Sequence, residues 1–138
     1  MCNLTPADFI LKMINEGLPY DESIKKLLIL ALKAQTYELR ISSEVYLLSL
    51  PNAKELLKYY LDEPDKCLNM TINGEYHLLE KPELEDLLIW YIQTRPLEDE
   101  VQTELFNHKN AKKLVKLHLE KHGLSKQAAP LAKKRGWL

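Results

Sequence analysis

Glycine is scarce in this chain: four residues in 138, none near another. There is therefore no glycine-rich loop of the kind whose backbone amides cradle phosphates. Cysteine is scarcer still. Cys2 and Cys67 stand 65 positions apart with no second thiol near either, which excludes a metal knuckle or a redox pair and reads as two free thiols. The longest uninterrupted apolar run, Leu27 to Leu32, has six residues, far short of the roughly 18 to 20 that cross a bilayer. The first fifteen residues carry Asp8 and Lys12 and lack a basic start, an apolar block and a small-residue cleavage site. With no secretory signal visible, the expected compartment is the cytoplasm. Asn3-Leu4-Thr5 and Asn69-Met70-Thr71 then match the glycosylation pattern only by chance.

What is present describes one folded domain, 1–138. Apolar residues make up 46 % and charged residues 28 % of the chain, and a domain of this size buries about two thirds of the surface its unfolded chain exposes. Net charge is only -1, but it is unevenly placed. Residues 1–108 hold 10 Lys and Arg against 19 Asp and Glu, or -9, whereas residues 109–138 hold 9 against Glu120 alone, or +8.

The strongest pattern is a repeat. Glu83 to Lys109 laid over Asn110 to Gly136 without a gap matches Leu84 with Ala111, Leu87 with Leu114, Leu88 with Val115, Trp90 with Leu117, Ile92 with Leu119 and Leu97 with Leu124. The underlying motif is two apolar residues, a free position, then three mostly apolar residues. It recurs at Phe9, Leu27, Leu56, Leu87 and Leu114, with spacings of 18, 29, 31 and 27. At about 100° per residue its apolar positions cover an arc of about 200°. Two charged residues precede four of the copies: Lys25-Lys26, Lys54-Glu55, Glu85-Asp86 and Lys112-Lys113. A helix buried on most of its circumference, with one narrow charged stripe, is what stacking between neighbours requires. The fold class predicted is all-α: a right-handed α-solenoid of stacked helical hairpins, about 27–31 residues per unit, in four to five units.

Between motif helices there is room for a turn and a second, shorter helix. Arg95-Pro96-Leu97 breaks one helix and Glu98 to His108 resumes with Val101, Leu105 and Phe106 at helical spacing. Gly123 stops another, with Ser125 as the next N-cap, and Ser42 or Ser43 caps a helix that stops at Pro51. Thr5 to Glu16 reads as a capping helix, Thr5 its N-cap and Pro6 its first residue. Residues 62–75 read as an irregular connection ending in the turn signal Asn73-Gly74, followed by a short helix from Glu75 to Glu80. Residues 125–138 read as a C-terminal cap, interrupted by Pro130, with Trp137-Leu138 folding over an open end.

Tandem helix-turn-helix units, with Asn-Ala-Lys-x-Leu-x-Lys at Asn52 to Lys58 and again at Asn110 to Lys116, resemble α-solenoid families such as HEAT and armadillo repeats or the shorter leucine-rich variant repeats. The resemblance covers about residues 21–135. It implies a scaffold that binds other macromolecules, and it transfers no functional residue.

Chemistry is thin. His118-Leu119-Glu120-Lys121-His122 places two His at i and i+4, a spacing that can bind zinc. Yet its Glu is at the third of five positions, not at the second or fourth that the metalloprotease motifs use, and His118 fills the slot held by Tyr60 and Tyr91. Packing is the better reading, and no metal, cofactor or catalytic residue is assigned. Glu85-Asp86 and Asp99-Glu100 are adjacent acids that point apart. Tyr59, Tyr60, Trp90 and Tyr91 fall at core positions. The functional hint is the basic C-terminal unit: Lys112, Lys113, Lys116, Lys126, Lys133, Lys134 and Arg135 form the candidate interaction surface. The expectation is a non-enzymatic interaction module with an unidentified protein partner, and with self-association of the +8 end against the acidic middle of another copy. A second reading is nucleic-acid binding through phosphates. An overall pI of 6.4 and the lack of interleaved exposed aromatics argue against it.

Overall fold

The amphipathic periods become helices wherever they were strong. The computed structural model describes residues 4–62 and 68–138, and among these all regular structure is helical. The helices are α1 (Pro6–Asn15), α2 (Glu22–Ala34), α3 (Ile41–Leu48), α4 (Ala53–Leu61), α5 (Ile72–Glu80), α6 (Glu85–Thr94), α7 (Asp99–Glu104), α8 (Ala111–His122) and α9 (Ala129–Lys134). Short 3-10 turns, Pro82–Leu84 and Leu105–Asn107, lead into α6 and follow α7. Cys2, Cys67 and Asn3 lie outside the described residues, so the readings of both thiols and of the first glycosylation match fall there, as does part of the 62–75 connection.

The chain divides into two compact units, Met1–Thr71 and Ile72–Leu138. In the first, α1 packs on α2 and on α3, α2 packs on α4, and α3 on α4, so two helical hairpins lie one on the other. In the second, α5 packs on α6 and α7, α6 packs on α8, and the turn after α7 packs on α8. The motif helices are α2, α4, α6 and α8, each the second member of its hairpin. The weak copy at Phe9 belongs to α1, which is the first member of a hairpin. Its apolar positions show the difference: Ala7 and Leu11 are buried, whereas Phe9 and Met13 are exposed.

Burial of apolar side chains from the motif helices and their hairpin partners holds each unit together. Leu28, Leu32, Leu47, Leu56, Leu57 and Leu61 are fully enclosed in the first unit, as are Leu78, Leu88, Ile92, Val101, Leu105 and Leu114 in the second. Each such side chain contributes about 1.5–3 kcal/mol relative to exposure. Thr5 caps α1 through a reciprocal box, its Oγ1 accepting from the Asp8 amide at 3.2 Å while Asp8 accepts from the Thr5 amide. Asp21 caps α2 by accepting from the Ile24 amide at 2.9 Å.

Three local expectations are corrected. Neither Ser42 nor Ser43 caps α3: Arg40 is the N-cap residue, its side chain makes no cap bond, and Ser43 is buried within the helix. The Arg40 amide goes instead to Asp8 Oδ1 at 3.1 Å, so a distant side chain satisfies this helix start. Asn73-Gly74 makes no turn, because α5 begins at Ile72 and runs through it, with Gly74 and Glu75 buried. The helix cost of an Asn-Gly pair, about 1–2 kcal/mol, is offset by what burying this segment gains. Pro130 does not interrupt α9 but stands in its first turn, where a missing amide costs nothing.

Candidate interaction surface

Buried polar side chains inside the hairpins bond to backbone groups, and related bonds recur three times along the chain. Tyr60 is fully buried on α4, where its hydroxyl accepts from the Leu39 amide at 2.7 Å and donates to Glu44 Oε2 at 3.0 Å. Glu44, itself fully buried on α3, also accepts from the amide and hydroxyl of Thr71, just before α5. In the second unit Tyr91 on α6 donates to the buried Glu75 Oε2, and Glu75 Oε1 accepts from the Glu98 amide at 2.9 Å, at the start of α7. Next, His118 on α8 accepts at Nε2 from the Leu97 amide at 3.0 Å, and Gln102 Oε1 accepts from the Ser125 amide at 2.8 Å. Asp8 on α1 makes the corresponding bond to Arg40. Each first helix thus carries a buried acceptor that ties down the backbone where a later helix begins. An amide buried without such a partner would cost about 1–3 kcal/mol.

Burial sets the titration of these groups. Desolvation raises the Glu44 carboxyl to about 7 against the bonds from Thr71 and Tyr60 that favour its charge. Burial also raises the Tyr60 phenol, with the nearby Glu44 charge adding to it. Burial opposes ionisation of Asp8, but hydrogen bonds from Ser43, Thr5 and Arg40 outweigh it and hold that carboxyl below its usual value.

The first histidine of the zinc-like spacing has both ring nitrogens engaged. His118 Nε2 accepts the Leu97 amide proton, so Nδ1 carries the ring's hydrogen and donates it to the Gly123 carbonyl at 2.8 Å. No lone pair is left for a metal. Desolvation lowers the His118 pKa, keeping the ring neutral. Gly123 holds its carbonyl there by a backbone at φ 77° and ψ -164°, a region that only glycine enters cheaply. His122 bonds with its Nε2 to the Ile92 carbonyl, its ring 5.3 Å from that of His118. Among the described residues no group of three or more His, Cys, Asp or Glu is placed to hold a metal ion.

The charged stripes of neighbouring motif helices meet within each unit. Lys25 on α2 pairs with Glu55 on α4 at 3.8 Å, and Tyr20 donates to Asn52 at 2.7 Å. In the second unit Asn110 donates to Glu85 on α6, and His108 Nε2 lies 4.0 Å from the same carboxylate. The Asn110 bond lowers the Glu85 pKa, with burial opposing and Lys113 assisting. Asn52 and Asn110, the two copies of the repeated asparagine, share one backbone shape, φ -109° and ψ 37° against φ -107° and ψ 34°. Neither caps its own helix; both reach the preceding hairpin instead.

Lys112, Lys113 and Lys116 are exposed on α8, with Lys112 and Lys116 one turn apart on a single line. Lys126, Lys133 and Lys134 are exposed in the C-terminal segment. No lysine of this set lies within 4 Å of a carboxylate oxygen among the described residues, although Glu85 feels the field of Lys113. Arg135 differs. Its Nη1 donates to the Phe106 carbonyl at 2.9 Å, and the guanidinium stands 5.3 Å and 5.2 Å from the Phe106 and Trp137 ring centres. Trp137 stacks on Phe106 at 5.7 Å with planes 8° apart. The residue expected in the cationic patch therefore pins the chain end onto the turn after α7.

The buried acceptors Asp8, Glu44, Glu75 and Gln102 lie on α1, α3, α5 and α7, outside the four strong motif helices. A signal was there: counting back 16 positions from Tyr60, Tyr91 and His118 lands on Glu44, Glu75 and Gln102. Arg95, which ends α6, is buried too, its guanidinium 5.4 Å from the Tyr91 ring centre. No family of known proteins, no curated protein and no solved structure matches the chain.

Proposed function

We propose that this chain is a non-enzymatic interaction module of the α-solenoid kind, in which the lysine line of α8 receives an acidic surface of a partner protein. The observation that carries this reading is the unequal fate of the charged stripes. Lys25 is met by Glu55 and Glu85 by Asn110 and His108, whereas Lys112 and Lys116 stand exposed with no carboxylate oxygen within 4 Å among the described residues. Unmatched cations on one rigid helix steer an acidic partner and fix its register. The buried Glu44, Glu75, Gln102 and His118 each bond to a backbone amide, the role of a structural rather than a catalytic group. Among the described residues no helix is long and apolar enough to cross a membrane, and the cytoplasm remains the compartment of this reading.

The second reading, phosphate-backbone binding, draws on the exposed Lys133 and Lys134 of α9. Fluorescence anisotropy with a labelled poly-glutamate peptide and a labelled DNA duplex, at low and high salt, separates the two. The expected result is salt-sensitive peptide binding that the double variant Lys112→Glu, Lys116→Glu abolishes. Stronger binding to the duplex would move the assignment to the second reading. No retention of either probe at low ionic strength would sink both.

A further inference from the structure

We infer that the groove along α4 is a binding site for a carboxylate, an Asp or Glu side chain of an acidic protein partner, with the Asn52 amide and the Lys54 and Lys58 ammonium groups as its donors. The site lies in the first unit and does not depend on the lysine line of α8.

The two copies of the repeated asparagine show what is missing. In the second unit Asn110 gives an Nδ2 proton to the carboxylate of Glu85, which stands two positions before the motif on α6. In the first unit the same place on α2 is Lys25, which has no lone pair to offer and pairs with Glu55 instead. Asn52 has the backbone shape of Asn110, and its Oδ1 accepts from the Tyr20 hydroxyl at 2.7 Å. Its Nδ2 is buried and has no hydrogen-bond partner among the described residues. Buried amide donors are almost always satisfied, because desolvation without a partner is costly. In the sister unit the group that fits this asparagine is a carboxylate, and in the first unit a lysine stands where that carboxylate would be.

The surroundings select an anion. Asn52, Lys54, Glu55, Lys58 and Tyr59 line an open groove of about 600 Å³, room for an acidic side chain and the backbone that carries it. Lys54 and Lys58 are exposed, one turn apart, and neither has a carboxylate oxygen within 4 Å among the described residues. They hold the places in the repeat that Lys112 and Lys116 hold on α8. Glu55, the one acid among the lining residues, is drawn to Lys25 at 3.8 Å, and Lys33 adds a cation 4.8 Å from the Tyr59 ring centre. That balance favours an acidic ligand. A carboxylate entering the groove displaces the exposed side chains that shield Nδ2 and takes a charge-assisted hydrogen bond from it. Glu55 stays beside it and repels a phosphate dianion more strongly than a single carboxylate.

Proton–nitrogen NMR of the full chain, titrated with N-acetylglutamate α-amide into the millimolar range, tests this. The expected result is a saturable shift of the Asn52 side-chain amide, retained in the double variant Lys112→Glu, Lys116→Glu and absent with the neutral N-acetylglutamine α-amide. Asn52→Asp keeps an oxygen for the Tyr20 hydroxyl but loses the donor; read on the backbone amides of α4, it should weaken binding at least about tenfold. Lys58→Gln, at an exposed site, should weaken it about twofold with the circular dichroism spectrum unchanged. The inference is overturned by the absence of a saturable shift, by an equal response to the neutral amide, or by an Asn52→Asp variant that binds as the parent does. Tighter binding of inorganic phosphate would overturn it in favour of a phosphate site. The groove holds one carboxylate in the millimolar range, so it does not by itself retain the poly-glutamate peptide that reports on α8, and either proposal can fail alone.

Discussion

Replacing Glu44 by Gln should change how stability depends on pH. In the folded chain the Glu44 carboxyl sits at about 7, against an ordinary value of 4.5, because burial disfavours its charge. Between those values the folded state holds a proton that the unfolded chain has released, so this group's contribution is fully present at acid pH and is lost as pH rises through about 7. At about 1.36 kcal/mol per pH unit the gap from 4.5 to about 7 amounts to about 3 kcal/mol. Gln cannot ionise, and its carbonyl can still accept from the Thr71 amide. Gln102 already holds the equivalent place on α7, accepting from the Ser125 amide. The cost of the change is the hydrogen bond from the Tyr60 hydroxyl, about 1 kcal/mol. Urea denaturation followed by circular dichroism should therefore give crossing profiles. The variant is the less stable at about pH 5 and the more stable at about pH 8, the difference between the two proteins moving by about 3 kcal/mol. Taking that difference removes the contributions of every other titrating group. Parallel profiles would refute the reasoning, since they would mean that Glu44 is no harder to ionise in the fold than out of it.

Other perturbations reach the remaining links. His118→Phe should cost about 1–3 kcal/mol at neutral pH by stranding the Leu97 amide. It should also remove an acid-sensitive limb: the lowered His118 pKa gives stability present above about 6.5 and lost as pH falls through the folded value, so calorimetry of the variant should show a smaller drop in Tm on acidification. Asp8→Ala removes both the α1 capping box and the acceptor for the Arg40 amide, and should lower stability by about 1–3 kcal/mol in urea titrations. Trp137→Ala breaks the stack on Phe106 and releases Arg135; a loss of about 1–3 kcal/mol, with faster amide exchange over α9, is expected.

The apolar period of the four strong motif copies was enough to place α2, α4, α6 and α8, because a helix that must bury most of its circumference writes that need every three or four residues. Pro6 behind Thr5, Gly123 after His122, and the Arg95-Pro96 break set boundaries for the same local reason. His118 was legible as a core residue from its alignment with Tyr60 and Tyr91. The lysines of α8 were legible as a stripe, and they are exposed as a stripe.

What the chain's local pattern could not express is which distant group satisfies a helix end. Ser43 looks like a cap, yet the Arg40 amide takes its bond from Asp8, 32 positions away. Arg135 looks like a surface cation, yet two aromatic rings hold it. Leu27 and Leu56 occupy the same motif slot, and only packing makes one exposed and the other buried. The sequence by itself determined the helices, their apolar faces and the charge of each stripe, since these follow from neighbours a few residues apart. The tertiary structure alone decided which buried acceptors serve which backbone amides, and which apolar face is left without a neighbour, because both depend on residues brought together from far along the chain.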